Sequence, residues 1–74
     1  MSTQKIRSDV TGTVWKIVAQ VGSELAADDT IMILESMKME IPVLAPDAGR
    51  VIELLVVEGA PVREGQEVAV FEPT

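Results

Sequence analysis

The run Glu35-Ser36-Met37-Lys38-Met39-Glu40 sets a single lysine between two methionines, at the midpoint of a 74-residue chain. A lysine amine can serve as a nucleophile in an active site, as a surface cation, or as the acceptor for an acyl group. The first role needs a low-dielectric pocket or a cationic neighbour to activate the amine, and the run supplies neither. It supplies instead a flexible, polarisable apolar side chain on each side of the lysine, suited to adaptable contact with another protein. Outside these lie Glu35 and Glu40, which can pair with basic groups of that protein or with the lysine itself. We therefore read Lys38 as the acceptor of an amide bond made by a separate enzyme, which brings the activated acyl group. A lone turn lysine is usually no more than a solubilising charge, but such a tip would not ordinarily select two methionines.

Composition removes the main alternatives. The chain has no Cys and no His, which excludes disulfides, thiolate metal sites, the commonest general base and the Ser-His triad. One Trp, one Phe and no Tyr leave no stacking platform for single-stranded nucleic acid. Twelve acidic against six basic residues give a net charge of −6, the wrong sign for holding a phosphate backbone. No apolar run reaches membrane-spanning length, and the polar start Met1-Ser2-Thr3-Gln4-Lys5 lacks the apolar core of a signal peptide. A cytoplasmic, monomeric protein is expected, with no membrane or nucleic-acid partner and no metal. It is not expected to be an enzyme in its own right.

Eleven Val, six Ile and five Leu favour strands, because β-branched side chains fit a pleated surface and lose freedom in a helix. The apolar runs are short and are separated by turn residues at eight- to twelve-residue spacing, the pattern of a small all-β sandwich or barrel. Strands are expected near Lys5–Ser8, Thr13–Ala19, Glu24–Leu25, Thr30–Glu35, Met39–Ala45, Arg50–Val57, Pro61–Val62 and Glu67–Glu72. The one competing helix, Ser23 to Asp29, is two turns at most and ends in acids that a helix dipole disfavours. It reads better as a short strand and a turn.

An internal repeat organises these elements. Gly12 and Gly49 are 37 residues apart, as are Gly22 and Gly59. The same shift pairs Val14 with Val51, Ile17 with Leu54, Leu25 with Val62, Ile31 with Val68, Ile33 with Val70 and Glu35 with Glu72. Two like halves, each able to bury one face only, imply a pseudo-two-fold arrangement in which neither half is stable alone. Val14, Ile17 and Ala19, like Val51, Leu54 and Val56, change parity along the strand, which calls for a β-bulge in each. Trp15, Val18, Ile52 and Leu55 are also apolar. We expect them in the core or at its rim, with Trp15 the most exposed. The glycines suit positive φ or close backbone approach, and positive φ is the expectation at Gly12 and Gly49.

The two halves meet at the lysine. Thr30–Glu35 and Met39–Ala45 are placed to form a hairpin with Met37-Lys38 at its tip. Two-residue hairpin loops need positive φ and normally recruit Gly, Asn or Asp. A chain that uses glycine elsewhere departs from that rule here, and such departures concentrate at functional sites.

Glu35-Ser36-Met37-Lys38-Met39-Glu40 resembles the biotin attachment motif of the biotinyl domains of biotin-dependent carboxylases. The repeat and the turns at Gly22, Gly59 and Glu64-Gly65-Gln66 resemble the wider biotinyl/lipoyl family, over about Ile6 to Glu72. The likeness is strongest to free-standing, single-domain carriers. It implies a flattened barrel or sandwich of two four-stranded antiparallel sheets within one domain, residues 1–74. It implies that Lys38 is biotinylated by a biotin protein ligase, with Glu35, Ser36, Met37, Met39 and Glu40 forming what the ligase recognises. It further implies that the carrier serves a biotin carboxylase and a carboxyltransferase of an acyl-CoA type carboxylase, such as acetyl-CoA carboxylase. Ser36 stands where relatives commonly have Ala, and the short link from Ala19 to Leu25 leaves no room for the protruding thumb of some bacterial carriers. Lipoyl domains share the fold and a Glu three residues before the lysine, as Glu35 is here, but carry a triplet such as Asp-Lys-Ala where this chain has Met-Lys-Met. An unmodified adaptor module is the remaining alternative.

Overall fold

The computed structural model describes residues 3–74. Every regular element in them is a strand: β1 (Gln4–Arg7), β2 (Gly12–Ile17), β3 (Glu24–Leu25), β4 (Thr30–Ser36), β5 (Met39–Leu44), β6 (Gly49–Leu54), β7 (Pro61–Val62) and β8 (Glu67–Pro73). They form two four-stranded antiparallel sheets, β1-β8-β6-β3 and β5-β4-β2-β7. The sheets face each other as a flattened sandwich. Ser23 to Asp29 forms a two-residue strand and a turn, as the weak helix signal implied.

The repeat is a structural symmetry, and its halves are interlocked. A shift of 37 residues carries β1 onto β5, β2 onto β6, β3 onto β7 and β4 onto β8. The short strands are exchanged: β3 of the first half pairs with β6 of the second, and β7 of the second pairs with β2 of the first. Loop hydrogen bonds obey the same exchange. The Gly22 amide donates to the Val51 carbonyl at 2.7 Å, and the Gly59 amide to the Val14 carbonyl at 2.7 Å. Asp29 Oδ2 accepts from the Ala26 amide at 2.9 Å, and Gln66 Oε1 from the Arg63 amide at 2.9 Å. The Asp29 and Gln66 turns close within their own halves, but each half's glycine turn and short strand find their partners only in the other half, a physical reason both must fold together.

Both expected bulges are present. The β2–β4 register skips from Val14 opposite Leu34 to Lys16 opposite Ile33, and the β6–β8 register skips from Val51 opposite Phe71 to Glu53 opposite Val70. The extra residues are Trp15 and Ile52. They and their neighbours Val18 and Leu55 are exposed, Trp15 by 49%, which corrects the expectation of core or rim packing. The inward positions are already taken by Val14, Ile17 and Ala19 and by Val51, Leu54 and Val56, so the bulge turns the extra apolar residue outward. The core draws on both halves, with Val14, Ile31 and Leu34 meeting Val51, Val68 and Phe71.

Gly12 and Gly49 do not have positive φ; among the glycines that conformation belongs to Gly22, Gly59 and Gly65. Their role is close approach. A Cβ on Gly12 would overlap the Glu35 carbonyl oxygen, and one on Gly49 would overlap that of Glu72 and lie 2.8 Å from Phe71 Cζ.

Candidate functional site

Strands β4 and β5 run together as far as Glu35 opposite Glu40 and Ser36 opposite Met39, leaving Met37 and Lys38 as a two-residue loop. Their φ values are 52° and 65°. Two successive left-handed residues make a type I′ turn, whose twist matches that of the flanking strands. Holding two residues with side chains in that region costs roughly 1–2 kcal/mol each, which glycine would avoid. The hairpin geometry therefore demands the turn while the sequence accepts its strain.

The base of the hairpin is seated firmly. Gly12 lies directly beneath the Glu35 carbonyl, and its missing side chain also leaves room for Ser36, whose Cβ would be 3.2 Å from a Gly12 Cβ. The Ser36 hydroxyl donates to the Thr11 carbonyl at 2.8 Å. Thr11 Oγ1 in turn accepts the Glu64 amide at 3.1 Å, so the β1–β2 and β7–β8 loops both brace the hairpin. Sequence reasoning did not find Thr11 or Glu64 as supports. A bond between residues 25 positions apart leaves no periodicity to read.

Beyond that base the side chains are open. Met37 is 92% exposed and Met39 62%, and Lys38, Glu35 and Glu40 are exposed too. Glu35 and Glu40 face each other across the strand pair, a like-charge pairing that disfavours the hairpin. Among the described residues the ion pairs are Lys5–Glu67 and Arg7–Glu67. Neither glutamate of the run is paired with Lys38, so pairing within the run, one of the two roles considered for these acids, does not form here. The structure thus brings all six residues of the run to one end of one hairpin, with Ser36 turned toward the scaffold and the others toward solvent. Among the described residues, no cluster of three His, Cys, Asp or Glu is arranged to hold a metal.

The lysine has open space around it and a braced backbone beneath it, which fits a long group attached at Nζ and offers nothing to enclose one. Fold and site together define a small β module, built from exchanged repeats, that displays one lysine on a strained hairpin. The chain belongs to the biotin/lipoyl family: the family model described as biotin-requiring enzyme matches residues 2–71. It is 37% identical over 68 residues to the Biotinylated protein TB7.3 homolog of Mycobacterium leprae, covering 92% of this chain and 96% of that one. Among solved structures, the urea carboxylase of Kluyveromyces lactis superposes with a TM-score of 0.92 at 38% identity, over 97% of this chain and 6% of that one. A single-chain, multi-domain long-chain acyl-CoA carboxylase gives a TM-score of 0.92 at 35% identity, over 97% of this chain and 7% of that one. The chain therefore matches nearly the whole of a small biotinylated protein and a small fraction of two large carboxylases.

Proposed function

We propose that this chain is a biotin carboxyl carrier of one domain, with Lys38 as its attachment residue. The observation that carries the reading is Lys38 on a two-residue positive-φ turn between two highly exposed methionines, in a chain of the biotin/lipoyl family. A biotin protein ligase would read Met37 and Met39 as apolar contacts, with Glu35 and Glu40 meeting its basic groups and Ser36 fixing the hairpin. Loading joins Lys38 Nζ to the acyl carbon of an activated biotin. The activating group leaves and the amine loses a proton. Bound biotin supplies the site that takes up a carboxyl group at a biotin carboxylase and gives it up at a carboxyltransferase of an acyl-CoA type carboxylase.

The chain's own work is mechanical. The braced hairpin gives the lysine a fixed frame, while the open tip leaves its side chain free to turn. Tethering replaces repeated bimolecular encounters by a high local concentration at each partner site. The net charge of −6 favours brief, steered contact with basic surfaces. The domain makes no bond itself, and the chemistry belongs to the cofactor and the partner enzymes. We place the carrier in the cytoplasm as a monomer; no helix of the described residues is long and apolar enough to cross a membrane.

The test is the intact mass of the protein co-expressed with a biotin ligase, followed by peptide mapping. One biotinyl group on Lys38 is the expected result. A lipoyl group there would move the protein to the other branch of the family, and an unmodified lysine would refute the carrier reading.

A further inference from the structure

We propose that Met37 and Met39 form a reversible oxidation site that controls whether Lys38 can be loaded. The inference rests on the carrier reading and extends it to regulation of the same site. The chain has four methionines and no cysteine, so thioethers are its principal sulfur targets for an oxidant. Three of the four are described, and they divide sharply. Met32 is fully buried in the core, while Met37 is 92% and Met39 62% exposed on either side of the lysine.

Oxidation of a thioether requires the oxidant to reach sulfur. With hydrogen peroxide the O–O bond breaks, one oxygen bonds to sulfur and the other leaves as water. Sulfur loses two electrons and the peroxide gains them. Approach is open at Met37 and Met39 and closed at Met32, so the protein carries its own unreactive control. The products are polar sulfoxides. Neither exposed methionine belongs to the hydrophobic core, so the fold tolerates the change. What changes is the face presented to a partner, because a pocket shaped for a thioether must desolvate a strong acceptor that it gives no donor. Glu35 and Glu40 on the hairpin offer acceptors only when ionised, and the charged side-chain donor in the run is the Lys38 ammonium, the group that loading must leave free. Sulfoxide reductases reverse the modification.

The experiment treats the unmodified full chain with hydrogen peroxide, maps the oxidised residues, and then follows loading by a biotin ligase through streptavidin capture. One oxygen each on Met37 and Met39 and none on Met32 is expected, with an unchanged melting temperature. Loading should slow about tenfold, equivalent to ~1.4 kcal/mol at the recognition step, and recover after treatment with methionine sulfoxide reductases. A Met37→Leu/Met39→Leu variant, whatever its own loading rate, should show the same rate before and after peroxide. The proposal is overturned if oxidised protein loads as fast as untreated protein, if Met32 reacts equally, or if peroxide slows the leucine variant to the same degree. Untreated protein that never loads refutes the carrier reading and this proposal with it, which separates that failure from one confined to oxidation.

Discussion

The Ser36 hydroxyl donates a 2.8 Å hydrogen bond to the carbonyl of Thr11, tying the hairpin that displays Lys38 to the loop between β1 and β2. An alanine at this position could not make that bond. Replacing Ser36 by Ala should therefore loosen the hairpin with little loss of global stability, about 0.5 kcal/mol for a partly exposed bond. Amide hydrogen exchange should accelerate at Met37 to Glu40 and stay unchanged in β6 and β8. Exchange that is unaltered at the tip would show that the bond carries no mechanical load.

Lys38→Arg should preserve the fold, because the side chain is exposed and such surface changes usually stay within about 0.5 kcal/mol. It should abolish streptavidin capture after co-expression with a ligase. Capture that persists would place the attachment elsewhere in the chain.

The turn offers a trade between stability and recognition. Met37 has φ 52°, a conformation that asparagine adopts more readily than methionine. Met37→Asn should raise stability by about 0.5–1 kcal/mol, seen as a higher melting temperature, while slowing loading by a ligase. A variant that melts higher and loads at the original rate would remove Met37 from recognition.

Gly12→Ala and Gly49→Ala test close approach. Each new methyl would overlap a backbone carbonyl, that of Glu35 or of Glu72, and backbone yields poorly, so each should cost about 1–3 kcal/mol or more. Gly49 should be the more sensitive, since Phe71 Cζ and Pro73 Cα would also lie 2.8 Å away. At Gly59 the added Cβ meets open space, but φ is 88°, so Gly59→Ala should cost only the left-handed strain, about 1 kcal/mol. Chemical denaturation of the three variants should rank them in that order, and a Gly59 variant as damaged as the Gly49 variant would contradict it.

Much of this protein is decided locally and is therefore written in its sequence. Short Val- and Ile-rich runs separated by turn residues placed the eight strands to within a few residues, since strand preference and turn geometry depend mostly on near neighbours. The shift of 37 residues announced the symmetry, and the parity change after Val14 and Val51 announced the two bulges. The Met37-Lys38 turn was legible because a two-residue hairpin loop allows so few conformations.

Tertiary structure decided what depends on distant partners. The exchange of β3 and β7 between halves follows from which sheet edge remains open after the long strands pair, a matter no local pattern encodes. Trp15 is exposed because the bulge that admits it also directs it away from filled core positions; hydrophobicity alone pointed inward. Gly12 lacks a side chain because the Glu35 carbonyl presses on it, and Ser36 matters to the hairpin because Thr11 lies within its reach. The sequence by itself determined which lysine stands at the joint of the repeat. Contacts between residues distant in the chain, at Thr11, Gly12 and Glu64, determined that its hairpin has a braced base and an open tip.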